Sequence, residues 1–195
     1  YKFSNQRLSE KSKIYPKSTY AKTKIQCEKI IKNSKLNSVV LRFFNVCSSL
    51  NLKKRIIGEL HNPETHLIPT IVYKNLNRKK VYIYGKNYKT KDGSCMRDYV
   101  HIKDICIAIE KSLSFLSVNK NKFETINIGS SSRLTNLQIL KKIEKITKIK
   151  TNFEIVKNRK GDVDKLSCSI NKANKKLNWK PKYSNIENII KDEIK

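Results

Sequence analysis

Ser18-Thr19-Tyr20-Ala21-Lys22-Thr23-Lys24 opens a stretch running to Ser34, and Ser38-Val39-Val40-Leu41-Arg42-Phe43-Phe44 follows it after a short connection. In the first stretch Tyr20, Ile25, Cys27, Ile30 and Ile31 are spaced for a helix lying on something apolar, with Pro16 just ahead of it. The second is a β-branched and aromatic run, the composition of a buried strand. Helix and then buried strand at this spacing predict an α/β fold.

Outward from there, residues 45–69 hold no sustained period and carry Gly58, Pro63 and Pro69, which predicts a long loop. A helix is predicted over 70–76, a short strand over 81–84 ended by Gly85, and an alternating strand over 97–102, after which Asp104 could cap a helix to about residue 116. A strand over 125–128 leads through Gly129 and a Ser/Thr-rich cap region into a helix over 136–147. A strand over 153–156 and two short helices, 171–177 and 185–194, complete the pattern, with no internal repeat and no low-complexity linker.

The 195 residues suffice for one ordinary domain, or for most of a larger one with a smaller piece appended. The formal charge of +27 raises nucleic acid as a partner, but seven of the 43 basic residues are Arg and the rest Lys, spread along the chain with abundant Asn and Ile. Those three residue types share A/T-rich codons, so nucleotide bias accounts for the charge at least as well as a binding surface, which would gather basic residues on one face and favour Arg. The five widely spaced cysteines form no C-x-x-C and no His stands at metal-ligand spacing, so we expect reduced, mostly buried thiols and no metal. No apolar run approaches the roughly 20 residues of a membrane span and no signal pattern opens the chain, which predicts a soluble protein in a reducing, cytoplasmic compartment. Residue 1 is Tyr and residues 1–17 are polar without a strand-turn-helix opening, so the sequence is expected to begin mid-protein.

Tyr20 and Lys24 stand four apart, on one helix face. A phenol titrates near pH ~10 and is a poor base, but an adjacent ammonium favours phenolate, and such a tyrosine could take a proton from an alcohol whose hydride leaves for a nicotinamide. Taken alone the pair is weak, because a Lys-rich chain produces it by chance and the two could be a core ring and a solvated charge.

The flanking residues lift it. Tyr15-Pro16-Lys17-Ser18-Thr19-Tyr20-Ala21-Lys22-Thr23-Lys24 followed by Leu41-Arg42-Phe43-Phe44-Asn45 resembles the active-site helix and next strand of extended short-chain dehydrogenases. Gly58-Glu59-Leu60-His61-Asn62-Pro63-Glu64-Thr65-His66-Leu67-Ile68-Pro69 resembles the G-E-D-H-N-P-E-T-H-L-I-P loop of bacterial-type UDP-glucose 4-epimerases, with one change at Leu60. Tyr84-Gly85-Lys86-Asn87-Tyr88, the segment from Asp92 to His101, Asn127-Ile128-Gly129, Arg159-Lys160-Gly161-Asp162 and Leu177-Asn178-Trp179-Lys180-Pro181 continue the resemblance in family order.

The resemblance implies the latter part of a Rossmann-like doubly wound parallel sheet plus a smaller mixed α/β substrate-binding domain. Residues 1–45 would be the remainder of the NAD-binding domain and 46–195 the UDP-sugar-binding region, with about 97–128 returning to the main domain. It implies epimerisation of UDP-galactose and UDP-glucose at C4 with tightly bound NAD. Tyr20 would be base and acid at the 4-hydroxyl, Lys24 would lower its pKa and hold the nicotinamide ribose, and Phe44 would pass the nicotinamide. Asn45 would meet the substrate, and the backbone of His66 and Leu67 its diphosphate. The backbone of Tyr82, Ile83 and Tyr84 would read uracil, Arg97 and Arg159 would pair with phosphate oxygens, and Asp162 would meet the uridine ribose. The partner implied is a UDP-sugar, with neither a specific nucleic acid nor a membrane, and a homodimer for a full-length chain.

Other readings stay open at this point. Arg97 beside Asp98 could be a surface ion pair, His66 a hydrogen-bonded structural residue, Trp179 simple packing, and Gly129 a turn residue. Departures from the family pattern fall at Phe43 (commonly Tyr), Cys47-Ser48-Ser49 (a Pro- or Gly-containing turn), Ser131 (a glycine) and Leu166 (an aromatic near the sugar). The Gly-rich dinucleotide fingerprint, its acidic partner and the family's catalytic Ser or Thr are not found among these residues, so the polypeptide is not expected to hold NAD firmly by itself. The alternatives are another nucleotide-sugar dehydratase or decarboxylase, an inactive remnant, and a basic nucleic-acid-binding module.

Overall fold

In the computed structural model, residues 1, 4–16, 18–52, 55–59, 61–120, 122–159 and 162–195 are described. In chain order the first elements are α1 (Thr19–Asn33), β1 (Ser38–Phe43), β2 (Asn45–Cys47), β3 (Leu50–Leu52), β4 (Arg55–Ile57), α2 (Leu67–Leu76) and β5 (Val81–Tyr84). There follow β6 (Met96–Arg97), β7 (Tyr99–His101), α3 (Ile102–Val118), β8 (Phe123–Ile128), β9 (Leu134–Thr135), α4 (Asn136–Thr147), β10 (Phe153–Val156), α5 (Asn171–Leu177) and α6 (Ile186–Ile194).

The β-branched run of β1 pairs in parallel with β8, Val40 opposite Thr125 and Phe43 opposite Ile128. Past Phe43 the chain changes partner without turning. Phe44 N–H still donates to Ile128 O (2.9 Å), Asn45 N–H donates to Asp98 O (3.0 Å), and β2 pairs in parallel with β7. Under this sheet Val100, Ile105, Ala108, Ile126, Ile128, Ala173, Leu177 and Trp179 form one core. Trp179 is fully buried with Nε1–H donating to Asp104 O (3.0 Å), so the packing reading holds.

A second core joins α2, α4, α6 and the parallel pair β5–β10 through Ile68, Ile71, Ile83, Ile139, Ile143, Ile189 and Ile190, all at most 1% exposed. Each such side chain contributes about 1.5–3 kcal/mol by leaving water. Helix α4 is held at its start by reciprocal bonds between Thr135 and Gln138.

Four expectations change. The 45–69 stretch carries β2 and the antiparallel hairpin β3–β4, whose three-residue strands are too short to show a period. Helix α2 begins at Leu67, because Pro69 lies in its first turn, where a missing N–H costs nothing. The 97–102 strand is broken at Asp98 into β6, which pairs antiparallel with β9, and β7. His101, not Asp104, caps α3, its Nδ1 accepting from Lys103 N–H (3.0 Å). Asp104 is buried instead and accepts from the N–H groups of Lys182 (2.8 Å) and Tyr183 (2.9 Å) and from Ser184 Oγ (2.5 Å). That moors the segment leading into α6.

Helix α1 departs most from its pattern. Ser18 Oγ accepts from Ala21 N–H (3.1 Å), but none of the helix's side chains is buried, and Tyr20 and Ile30 are 71% and 68% exposed. Its tie to the sheet is polar: Arg42 on β1 donates to both Glu28 carboxylate oxygens (2.8 and 2.6 Å) and to Tyr1 OH (2.6 Å). The two-pronged geometry fixes the orientation of the helix. The five thiols are free, with Cys95 and Cys168 buried, Cys47 half-buried, and Cys27 and Cys106 exposed, a more open set than expected. Among the described residues no helix is long and apolar enough to cross a membrane.

Candidate functional site

The strand-to-strand passage at Phe44, the start of α2, the outer face of β5 and the break at Asp98 converge on one cleft of about 970 Å³. Tyr20, Phe44, Asn45, His66, Leu67, Tyr82, Tyr84, Arg97, Arg159 and Asp162 all line it. Two of the expected residues do not. Ile83 is turned inward by the alternation of β5 and has 0% exposure, and its backbone pairs with Ile155. Lys24 lies outside the lining, its Nζ 5.4 Å from the centroid of the Tyr20 ring.

Asp98 organises the wall that carries Arg97. It is fully buried, and its carboxylate accepts from the N–H groups of Ser130 (2.8 Å), Ser131 (3.1 Å) and Cys168 (3.1 Å) and from Ser130 Oγ (2.7 Å). Those bonds replace the ladder at the strand break. Arg97 therefore does not pair with its neighbour: Nη1 donates to Met96 O (2.9 Å) and Val163 O (2.7 Å), and Nη2 stands 3.3 Å from Asp162 Oδ1. A guanidinium tethered at three points is a fixed fork for an anion. Arg159 is placed differently, with its guanidinium carbon 4.1 Å from the Tyr84 ring centroid, a cation–π stack at the cleft. Lys74, also in the lining, stands 5.4 Å from the Tyr82 ring, so with Arg159 it adds positive charge to this side of the cleft.

Gly129 serves a close approach, since a Cβ there would lie 2.5 Å from Cys168 Sγ and 3.0 Å from Asp98 Oδ2. Two departures from the family pattern, Ser48 (φ 78°) and Ser131 (φ 60°), hold left-handed backbone that glycine adopts freely. Ser131 compensates with the Asp98 bond and with its hydroxyl donating to Cys168 O (2.9 Å). The Ser48 and Ser49 hydroxyls tie the 48–49 turn to α6 through Ile189 O (3.3 Å) and Asp192 O (2.6 Å). Phe43 is 47% exposed at the cleft, while Leu166 is packed beside Phe44, Leu8 and Cys168 and does not line it. Leu60, Lys160, Gly161 and Lys17 lie outside the described residues.

His66 is hydrogen-bonded. Its N–H donates to Glu64 Oε1 (2.6 Å), and its Nδ1 stands 2.9 Å from that oxygen and 3.3 Å from Glu59 Oε2. Burial alone would raise the Glu64 carboxyl, but the His66 N–H and ring and the Thr65 N–H hold it below the ordinary carboxylate range. Contrary to the expectation that no histidine has metal-ligand partners, Glu59, His61 and His66 bring one ligand atom each to within 4.8 Å of one another. The four residues between His61 and His66 fit the known H-x3–5-H spacing, so this signal was present in the sequence. Of the other lining residues, Glu59, Cys95 and Tyr99 stood within the matched motifs without an assigned role, while Lys74 and Asn136 come from separate helices and had no local signal.

A nicotinamide cofactor was implied from the sequence, and the residues present fit part of one. Tyr20 is exposed with the Lys24 ammonium 5.4 Å from its ring centroid, and it shares the cleft lining with Phe43 and Phe44, polar and aromatic groups of the kind a ribose and a flat ring require.

The family model described as GDP-mannose 4,6 dehydratase matches residues 2–192. The UDP-glucose 4-epimerase of Streptococcus mutans serotype c is 38% identical over 188 residues, covering 94% of this chain and 56% of its own length. The structure of UDP-glucose 4-epimerase from Brucella ovis in complex with NAD matches with a TM-score of 0.89 at 28% identity, over 98% of this chain and 59% of that one. The Stenotrophomonas maltophila enzyme, with bound NAD and formylated UDP-arabinopyranose, gives a TM-score of 0.88 at 26% identity, over 96% of this chain and 56% of that one. The chain thus spans little more than half the length of the relatives it matches.

Proposed function

The chain belongs to the GDP-mannose 4,6 dehydratase family, and on that premise we propose that it is the UDP-sugar-binding part of a UDP-glucose 4-epimerase, an NAD-dependent isomerase. The observation that carries this reading is the single cleft shared by Tyr20, Asn45, His66, Leu67, Tyr84, Arg97, Arg159 and Asp162. A tyrosine hydroxyl, an amide and two guanidinium groups in one cleft match the needs of a sugar joined to a diphosphate.

Arg97 and Arg159 bind phosphate oxygens, Arg97 as a fork tethered by carbonyls and Arg159 braced on Tyr84. Asp162 meets the ribose, the backbone around Tyr82 and Tyr84 the uracil, and the His66–Leu67 backbone the diphosphate. Asn45 orients the sugar so that Tyr20 can take the proton of its 4-hydroxyl and return it after the 4-keto sugar has turned over. NAD, held at Tyr20, Lys24 and Phe44, supplies a hydride acceptor and donor when bound. Residues 1–45 form the remainder of the cofactor domain and 46–195 the UDP-sugar region, with about 97–128 returning to the main sheet. The pairing of β7 and β8 with β2 and β1 supports that division.

Two measurements test the reading. Calorimetric titration of the chain with UDP should show one site per chain, weakened at least tenfold in R97A. Incubation with UDP-galactose and NAD, with the products resolved by chromatography, should give UDP-glucose from a protein containing this chain and its cofactor half. A deoxy or pentose sugar in its place would move the reaction to a dehydratase or decarboxylase of the same family.

A further inference from the structure

We propose that Glu59, His61 and His66 form a binding site for one divalent transition-metal ion of the zinc class, set in the rim of the cleft. Their ligand atoms all lie within 4.8 Å of one another. His61 Nδ1 stands 3.2 Å from Glu59 Oε1, and His66 Nδ1 stands 3.3 Å from Glu59 Oε2. Zinc holds imidazole nitrogen and carboxylate oxygen at about 2.0–2.2 Å, so neighbouring ligand atoms of a tetrahedral site are about 3.3–3.5 Å apart. Each imidazole thus lies near coordination spacing from one of the two Glu59 oxygens, and binding would require the His66 ring to leave Glu64 Oε1, which is 2.9 Å from its Nδ1.

Two imidazoles and a carboxylate suit zinc, cobalt or nickel better than the hard cations, which take oxygen ligands. Three protein ligands leave a further position for water or an anion. The three side chains are each 47–49% exposed, so an ion has an entry path.

Electrostatics points the same way. In a chain of net charge +27, this rim gathers three carboxylates, Glu59, Glu64 and Glu193. The Glu193 carboxyl is raised by burial and then by the charges of Glu64 and Glu59. Exposed ion pairs contribute under about 1 kcal/mol each, so the contacts already present offset little of that crowding. A bound dication would satisfy the carboxylates and fix both rings at once.

The site rests on residues of this chain alone and stands independently of the epimerase reading. Titration of the 195-residue chain with zinc chloride, in phosphate-free buffer stripped of metal, should show one ion per chain at micromolar affinity. H61A and E59Q should each weaken it at least tenfold with an unchanged far-ultraviolet spectrum. C27S/C106S, which removes the exposed thiols, should bind like the parent. Cobalt should give a visible d–d band without a thiolate charge-transfer band. Absence of binding at millimolar zinc, or binding lost in C27S/C106S but kept in H61A and E59Q, would overturn the proposal.

Discussion

Helix α1 and the wall around Asp98 both carry residues assigned to the cleft, yet they are built in opposite ways. Helix α1 buries no side chain and is tied to β1 by the Arg42–Glu28 pair, so Tyr20 and Lys24 stand on an open surface. The Asp98 wall is packed: Asp98, Tyr99, Val100 and His101 are all at most 5% exposed, and the Asp98 carboxylate and His101 ring are bonded internally. The groups proposed to grip the nucleotide are thus positioned by this chain's own core. The group proposed to do the chemistry is positioned by a helix that this core does not cover.

The contrast is tested hardest at Asp98. D98N keeps the shape but turns an amide NH2 toward a ring of N–H donors and removes the charge they solvate. Weakening hydrogen bonds to a buried charge and leaving buried donors unsatisfied costs about 2–4 kcal/mol. Urea unfolding should show a loss of that size, with Arg97 displaced and UDP binding lost with it. A loss under about 1 kcal/mol would mean that the wall is not held by Asp98.

One step smaller is R159A. Arg159 is exposed and stacked on Tyr84, so its removal should leave stability nearly unchanged. A lost charge-assisted phosphate contact is worth about 1.5–3 kcal/mol. UDP affinity measured by calorimetry should fall at least tenfold, and an unchanged affinity would remove Arg159 from the nucleotide site.

How much of this was legible in the sequence follows the same division. The β1 run, the β5 alternation and the Thr135-capped α4 could be read because each carries its own period or cap within a few residues. The two-residue strands β6 and β9 could not, because they exist by pairing with each other across nearly 40 residues, β6 bridging to Lys165 as well. Asp98 and Asp104 looked like surface charges or caps. Their partners lie 32–80 residues off, and spacing does not encode such contacts. The nucleotide-gripping residues were found through motif order rather than periodicity. The approach of Glu59 to His61 and His66 ran against the expectation that no histidine has metal-ligand partners, because the fold of the loop and not the spacing alone brings the three together. The apolar stripe of α1 was read correctly as a helix, but none of its side chains is buried among the described residues, because periodicity reports a face and not what covers it.

The packed wall should also show in the pH dependence. Burial lowers the pKa of His101 below its ordinary 6.5, with Lys103 adding to the shift and the contacts with Asp192 and Asp104 offsetting part of it. The unfolded chain therefore binds more protons just below pH 6.5, so this contribution to stability is complete above 6.5 and declines as pH falls toward the folded value. Asp192 behaves separately. Burial would raise its carboxyl, but Lys195 and His101 hold it below 3.8, so its contribution is present above 3.8 and lost as pH falls through the lower folded value. Urea midpoints across a pH series should show both declines in the parent. H101Q should remove the first and shrink the second, leaving the part that Lys195 supports, and a parent curve flat between pH 6.5 and 5 would contradict the burial argument.

The smallest effect belongs to the open region. Y20F deletes a hydroxyl on a residue that is 71% exposed, and K24A a charge on the same face. Surface substitutions of this kind stay within about 0.5 kcal/mol. The urea midpoint of either variant should match the parent, and UDP affinity should change less than twofold, since neither residue is assigned to the nucleotide. A loss above about 1.5 kcal/mol in Y20F would show that the α1 face is packed after all and would dissolve the contrast. Unchanged binding and stability in Y20F, together with lost turnover in a protein that also contains the cofactor half, would sharpen it. The tyrosine would then be separated from the fold and from nucleotide recognition, leaving only the proton at the sugar's 4-hydroxyl for it to serve.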